Sequence, residues 1–208
     1  MKNVSKHIDE LKQLFKRLSK EGKPPERVPL EPLDALVRGA MTFDVSDNRA
    51  EDAIKSITKE FVDLNELRVA TDLEIQELLG VRYPEIEKRV AMITQSLNAI
   101  FEREHTMSLN RLKDVSKREA RQFLRELPEI HPFVEAFVML YAFDGSAFPL
   151  DDEMLDYLRE QEAVDPETNL HEAQKFVENH VKADEVYECY INLRKAAQAD
   201  GSRKKARS

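Results

Sequence analysis

The chain contains few of the residues that build turn-rich, disulfide-bonded or metal-binding folds. Among its 208 residues there are five glycines, one cysteine and no tryptophan. So little glycine disfavours all-β folds, which need many tight turns. The single cysteine, Cys189, excludes disulfides within the chain and every metal site that needs several cysteines. We therefore expect a helical protein with no bound metal and no cofactor.

Long apolar segments are also missing from the sequence. No run approaches the roughly 18–20 apolar residues that a membrane-spanning helix needs. The first twenty residues, MKNVSKHIDELKQLFKRLSK, have the pattern of an amphipathic helix and lack the apolar centre of a signal peptide. These observations predict a cytoplasmic protein with no membrane partner.

The net charge of −8 is distributed unevenly along the chain. Residues 1–28 and 201–208 each carry a net charge of +4, so the remaining 172 residues carry −16. So acidic a body repels nucleic-acid phosphates, whose neutralisation supplies much of the affinity of proteins for DNA. The basic segment 201–208 is typical of a solvated, disordered tail, and nucleic-acid contact is the alternative.

Apolar residues recur at helical spacing through most of the chain, which predicts roughly ten short helices and no strand. Two capping boxes mark helix starts, Thr71 with Glu74 and Ser116 with Glu119. Residues 133–143 are apolar on nearly every side, as in a helix at the centre of a protein. Further helices are expected at 33–41, after a cap at Asp44 or Ser46, from Tyr83-Pro84, after Asp151 and Asp152, after Asn169, and at about 184–197.

Residues 127–151 have the sequence LPEIHPFVEAFVMLYAFDGSAFPLD. Three pairs, Leu127-Pro128, Ala142-Phe143 and Leu150-Asp151, have the spacing of an L-P-G-h-G-x-K-T-A hairpin, a helix ending in A-F-G, and an h-D-T-H segment. Upstream, residues 44–50 (DVSDNRA) resemble D-x-S-x-x-(K/R)-A, and residues 80–93 (GVRYPEIEKRVAMI) resemble a G-h-y-x-x-K-A-x-x-I helix entry. Over most of residues 30–159 the chain thus resembles the endonuclease III-like helix-hairpin-helix DNA glycosylases.

This resemblance implies an all-α fold of two domains with DNA bound at the cleft between them. A six-helix bundle would cover residues 29–143, and residues 1–28 and 144–200 would form the second helical domain. The basic tail 201–208 would lie outside both. The family's four-cysteine iron–sulfur loop is missing, because Cys189 stands alone.

The hairpin residues differ from the family pattern. Family members bind a DNA phosphate through hairpin N–H groups, and their glycines let the backbone approach closely. Those glycine positions hold Glu129 and His131, and Pro132 has no N–H to donate. We therefore expect weak DNA binding at most here, and a plain helical corner is the alternative. The lysine that forms a Schiff base in bifunctional members is replaced by Phe133, which excludes lyase chemistry through this residue and indicates core packing.

Two further positions carry a functional and a structural interpretation. Asp151 matches the family's catalytic aspartate, which stabilises positive charge on the sugar or activates the nucleophile. An aspartate directly before a helix is also an N-cap worth about 1 kcal/mol, so capping alone would explain it. Met41 occupies the position of a glutamine that the family inserts into the duplex. Methionine can wedge between bases, or it can belong to the core.

Two functional hypotheses follow from the resemblance. The first is a divergent endonuclease III-like protein of base-excision DNA repair, which binds double-stranded DNA weakly and, if active, is a monofunctional N-glycosylase. The second is a non-catalytic scaffold or interaction module that binds a protein partner and no longer binds DNA. The acidic body, Glu129, Pro132 and Phe133 favour the second hypothesis, and Asp151 favours the first.

Overall fold

The computed structural model describes residues 4–205, with no strand among them. The predicted all-α class is confirmed. One 3-10 turn, Asn110–Lys113, joins two of the helices. The α-helices are α1 Val4–Leu18, α2 Pro32–Thr42, α3 Asp47–Glu60, α4 Leu64–Val69, α5 Asp72–Leu79, α6 Ile86–Glu104, α7 Lys117–Arg125, α8 Pro132–Ala142, α9 Asp152–Glu160, α10 Leu170–His180 and α11 Val186–Lys205.

The described residues divide into two compact units. One unit holds the residues up to Val28 and those from Ser146 onward, and it contains α1 and α9 to α11. The other runs from Pro29 to Gly145 and contains α2 to α8. It extends two residues beyond position 143, the limit that the sequence predicts. No described helix combines the length and the apolar content that crossing a membrane requires.

Helix α8 lies at the centre of the second unit, as its apolar sequence predicts. Its residues 133–140 are all buried, and Pro132 occupies its first turn, where a missing N–H costs nothing. The one buried charge of α8 is Glu135, whose carboxylate accepts hydrogen bonds from Arg121 and, at 3.2 Å, from Arg125. Two arginines from α7 therefore compensate a carboxylate that would be costly to bury alone.

A buried arginine fixes the end of α2. The Arg89 guanidinium donates to the carbonyl oxygens of Ala40, Phe43 and Pro84 at 2.6–2.7 Å. The last carbonyls of a helix have no partner within the helix, so Arg89 supplies the missing donors. It also lies 3.7 Å from the centroid of the Phe43 ring and holds that ring in place.

The capping signals predicted most helix starts correctly. Both capping boxes form. The hydroxyls of Thr71 and Ser116 accept hydrogen bonds from the N–H groups of Glu74 and Glu119, and the Glu74 and Glu119 carboxylates accept hydrogen bonds from the N–H groups of Thr71 and Ser116. The N-cap of α3 is Ser46. The predicted start of α6 at Tyr83-Pro84 is wrong. The helix begins at Ile86, because the backbone of Glu85 is left-handed, with φ of 48°.

The predicted disorder of the basic tail is wrong for residues 201–205, which continue α11. Lys204 explains this extension, because its ammonium pairs with Asp200 one turn earlier, at 2.7 Å, and with Glu160 of α9. Pairs at this i,i+4 spacing stabilise a helix modestly. Residues 206–208, the rest of the predicted tail, lie outside the described residues.

Candidate functional site

The turn between α7 and α8 keeps a left-handed backbone at the first hairpin position. Glu129 has φ of 54°, a conformation that costs a non-glycine residue about 1–2 kcal/mol. Its side chain is exposed, and its carboxylate makes no ion pair or hydrogen bond with a described residue. The turn thus has the backbone that a glycine would favour, with an uncompensated negative charge on it.

The N–H groups that follow Glu129 point to acceptors inside the protein. The N–H of Ile130 donates to the Leu127 carbonyl at 3.4 Å, and that of His131 donates to the Met92 sulfur at 3.4 Å. The N–H of Phe133 donates to Nδ1 of His131 at 3.2 Å. Because Pro132 has no N–H, none of the four residues after Glu129 presents an unused donor to a phosphate.

The His131 side chain belongs to the packing of the turn. Its ring stacks on Phe43 at 4.3 Å with an angle of 5° between the planes, and its Nδ1 caps α8. The nearby Glu85 accepts a hydrogen bond from Lys88, which lowers the pKa of Glu85. Glu85 therefore stays ionised, and its charge is paired with that of Lys88.

Phe133 is a core residue, as its sequence position indicated. Its side chain is fully buried, with ring centroids 6.1 Å from Phe43 and 5.8 Å from Phe137. The nearest upstream lysine, Lys117, donates to the carbonyl of Phe143 at the end of α8. The position that the resemblance assigns to a nucleophile is thus occupied by packed aromatic rings.

Met41 lies on α2, and its side chain is part of the buried core, with no exposed surface. Its carbonyl oxygen accepts a hydrogen bond from the Tyr83 hydroxyl at 2.6 Å, which ties this turn of α2 to the segment before α6. Insertion between bases would require the side chain to leave this packing. The geometry favours the core interpretation of Met41.

Asp151 stands at the N-terminus of α9 with both carboxylate oxygens engaged. Oδ1 accepts from the N–H of Met154 at 2.9 Å, so the N-cap predicted from the sequence is formed. Oδ2 accepts from Nη1 of Arg194 in α11 at 3.1 Å. Asp151 is 1% exposed, and the Arg194 side chain is 4% exposed. This is a buried ion pair within one unit.

No sequence pattern predicted that Arg194 is the partner of Asp151. The two residues are 43 positions apart on different helices, and the resemblance ends before α11. Their pairing changes what the carboxylate can do. The Arg194 guanidinium offsets the negative charge of the Asp151 carboxylate. Because Asp151 is buried, almost none of the carboxylate surface can contact a substrate. Both effects weaken the electrostatic stabilisation that a catalytic carboxylate would give to a developing cation.

No metal centre is evident in residues 4–205. Nowhere in that range do three His, Cys, Asp or Glu side chains lie close enough to share an ion. A four-cysteine iron–sulfur cluster does not fit this chain, because Cys189 is its single cysteine.

Neither the protein-family models nor the curated proteins contain a match to this chain. Solved structures match it over nearly its whole length. An 8-oxoguanine glycosylase/lyase of Clostridium acetobutylicum, in complex with DNA containing cytosine opposite 8-oxoguanine, superposes with a TM-score of 0.72 at 16% identity, covering 96% of this chain and 71% of the other.

Two other structures give the same result. A trapped endonuclease III–DNA covalent intermediate has a TM-score of 0.67 at 14% identity, covering 93% of this chain and 85% of its own. The H. pylori 3-methyladenine DNA glycosylase bound to 1,N6-ethenoadenine has a TM-score of 0.69 at 12% identity, covering 92% and 98%. The predicted fold is confirmed: this chain has the fold of the helix-hairpin-helix DNA glycosylases of the endonuclease III type.

Proposed function

We propose that this chain is a non-catalytic member of the glycosylase fold that acts as a protein-binding module. The observation that carries the proposal is the buried pair of Asp151 and Arg194. A carboxylate that caps a helix and neutralises an arginine has a complete structural role. Removing either partner would leave the other charge buried without this ion pair, so selection for stability alone would keep both.

The hairpin supports the same conclusion for DNA binding. Glu129 presents a negative charge at its left-handed turn, and the N–H of His131 is directed to Met92. The net charge of −8 adds long-range repulsion of phosphates. On this proposal any contact of the hairpin with double-stranded DNA is weak, and Met41 takes no part in it.

A groove in the second unit offers a surface for a protein partner. It has a volume of about 580 Å³, and its lining combines apolar with acidic side chains. None of its four glutamates makes an ion pair with a described residue. Val62 beside it is 91% exposed. Charge complementarity favours a basic partner segment with an apolar face. The acidic groove is lined by Glu60, Phe61, Glu66, Val69, Ala70, Glu74, Glu77 and Leu78.

A base-release assay tests the absence of catalysis. Excess protein is incubated with duplexes containing 8-oxoguanine opposite cytosine or 1,N6-ethenoadenine, the bases in the similar structures, and strand breaks are developed with alkali. We expect no release above the buffer control, and the same result with Asp151→Asn. Release by the native chain that Asp151→Asn abolishes would overturn the proposal and establish a monofunctional glycosylase.

The protein-binding part is tested with a fluorescein-labelled amphipathic peptide that has lysines on one face and leucines on the other. Fluorescence anisotropy should show saturable binding that Glu60→Gln with Glu77→Gln weakens. The matched control is Glu87→Gln with Glu102→Gln, which removes two exposed charges from α6. Equal affinity of the two double variants, or no binding, would contradict the assignment of the groove.

A weakly active DNA glycosylase is the second candidate. The left-handed turn at Glu129 and the position of Asp151 at the start of α9 favour it, since both match the spacing of the glycosylase pattern. It requires Arg194 to release the carboxylate before substrate can be reached. Fluorescence anisotropy with an abasic duplex at low salt separates this candidate from the first, because a non-catalytic protein-binding module should give no shift at tens of micromolar protein.

A further inference from the structure

The first turn of α8 is capped by a ring nitrogen of His131. Its Nδ1 accepts the hydrogen bond from the N–H of Phe133 at 3.2 Å. Side-chain oxygen atoms make the corresponding bonds in α4, α5, α7, α9 and α10. Such oxygens accept a hydrogen bond at any pH near neutrality, whereas an imidazole nitrogen accepts one only while it carries no proton.

This hydrogen bond defines the protonation state of the His131 ring. Because the backbone N–H of Phe133 is always a donor, Nδ1 must keep its lone pair, and the neutral ring carries its hydrogen on Nε2. In the imidazolium both ring nitrogens are donors. A proton on Nδ1 would therefore point at the N–H of Phe133, and the cap would be broken.

Water is poorly placed to replace the lost acceptor. Phe133 has no exposed surface, so its N–H lies inside the protein. Pro132, the residue between the cap and Phe133, has no N–H of its own. The bond to His131 is thus the side-chain cap of α8, and breaking it leaves a buried donor with a poorer environment.

The charged groups packed around the ring act in both directions. His131 stacks on Phe43 at 4.3 Å, and the Arg89 guanidinium of α6 lies 3.7 Å from the centroid of the same Phe43 ring. An imidazolium would bring a second cation to this ring. Glu85 has the opposite effect, but its pKa is lowered mainly by the hydrogen bond from Lys88, at 2.5 Å, and least by His131.

The other carboxylates near the turn are exposed or compensated. Glu129, two residues before His131, is exposed, and Asp44, the residue after Phe43, is half-buried. Both favour a cation, but water weakens such attractions. Glu135 in the first turn of α8 is buried and accepts hydrogen bonds from two arginines of α7. The loss of the cap and the proximity of Arg89 therefore dominate, and the fold favours the neutral ring.

We propose that His131 is a pH-sensitive cap that releases the start of α8 when its ring is protonated. In an unfolded chain a histidine takes up a proton near about pH 6.5. In the folded chain the same proton has to displace the N–H of Phe133. The unfolded state therefore binds more protons in mild acid, and stability falls as the pH falls. Above about pH 7.5 the ring is neutral in both states and the cap contributes fully. This device does not depend on what the acidic groove binds.

Urea unfolding at pH 7.5 and pH 5.0 tests the proposal with His131→Asn, in which an amide oxygen can cap α8 without titrating. Between the two pH values the unfolding equilibrium constant of the native chain should rise about fivefold more than that of His131→Asn, the loss expected for one cap. All other titrating groups are common to both proteins, so their effects cancel. An equal rise in both proteins would overturn the proposal.

The matched control is His105→Asn. It removes an exposed histidine from the C-cap of α6, where φ is 54° and asparagine is tolerated. This variant should keep the pH dependence of the native chain. If it loses that dependence as His131→Asn does, the effect is not specific to the cap of α8, and the proposal fails.

Hydrogen exchange in the native chain gives a measurement that does not depend on how the variants fold. The protection factor of the Phe133 amide should fall at least fivefold from pH 7.5 to pH 5.5. The amide of Met154, which is capped by a carboxylate oxygen of Asp151 and is also buried, should change less than twofold. Equal changes at the two amides would contradict the assignment of the switch to His131.

Discussion

The turn at Glu129 and the helix start at Asp151 occupy two functional positions of the glycosylase pattern, and they depart from it in opposite ways. The turn has a left-handed backbone at Glu129, and its residues differ from those of the pattern. The helix start keeps the carboxylate but encloses it with Arg194. The Glu129 turn differs from the pattern in its side chains. The Asp151 position has the carboxylate of the pattern, but that carboxylate is buried.

This difference shows that a motif can persist for structural reasons alone. A left-handed residue closes the corner between α7 and α8, and an aspartate caps α9, whether or not DNA is bound. Spacing therefore identifies the fold, as the solved structures confirm. Function depends on exposure and on the partners of each side chain.

The largest effect is expected from restoring the lysine of the pattern with Phe133→Lys. An ammonium in a fully buried site among Phe43 and Phe137 has no partner, so we expect a loss of about 4 kcal/mol or more in the free energy of unfolding. Urea unfolding measures this loss. The control Phe133→Leu should lose about 1–2 kcal/mol, as a smaller apolar side chain does. A stable Phe133→Lys protein that is trapped on abasic DNA by borohydride would show that this position is open.

The next effect concerns Asp151. Arg194→Met removes the cation and leaves the carboxylate buried, so we expect a loss of about 3–5 kcal/mol in the free energy of unfolding. The matched variant Arg17→Met removes an exposed arginine that bonds Gln161 in the same unit, and it should lose less than about 1 kcal/mol. If the two variants have equal free energies of unfolding, the pair of Asp151 and Arg194 does not stabilise the fold as we describe.

The smallest effect concerns the turn. Glu129→Gly relieves the left-handed strain and should raise the free energy of unfolding by about 0.5–1 kcal/mol, after the conformational entropy of glycine is subtracted. Glu129→Ala removes the same charge without relieving the strain, so it should not raise stability. Chemical denaturation of both variants checks this, and a gain in the alanine variant would point to charge rather than backbone.

The helical framework could be predicted from the sequence because its signals are local. Thr71 with Glu74 and Ser116 with Glu119 form capping boxes within one turn of chain, so they require no knowledge of tertiary contacts. The helix Leu64–Val69 escaped prediction, since six residues are too few to show a periodic pattern. The end of α11 escaped it too, because the contact of Lys204 with Glu160 joins helices 44 residues apart.

The burial and the partners of the candidate site residues could not be predicted, because they too depend on contacts between segments that are distant in the sequence. Asp151 can be identified as an N-cap from its position before α9, but its pairing with Arg194 spans 43 residues. The burial of Met41 and the direction of the His131 N–H likewise depend on contacts with distant segments. One sequence shows which groups are available, and only the fold shows which of them reach solvent.

A double-mutant cycle on Asp151 and Arg194 tests the central claim most directly. The free energies of unfolding of the native chain, Asp151→Asn, Arg194→Met and the double variant give the coupling energy of the pair. We predict a coupling of about 2 kcal/mol or more, because each group compensates the buried charge of the other. A coupling below about 0.5 kcal/mol would contradict this account, because the pair with Arg194 would then not explain why Asp151 is present.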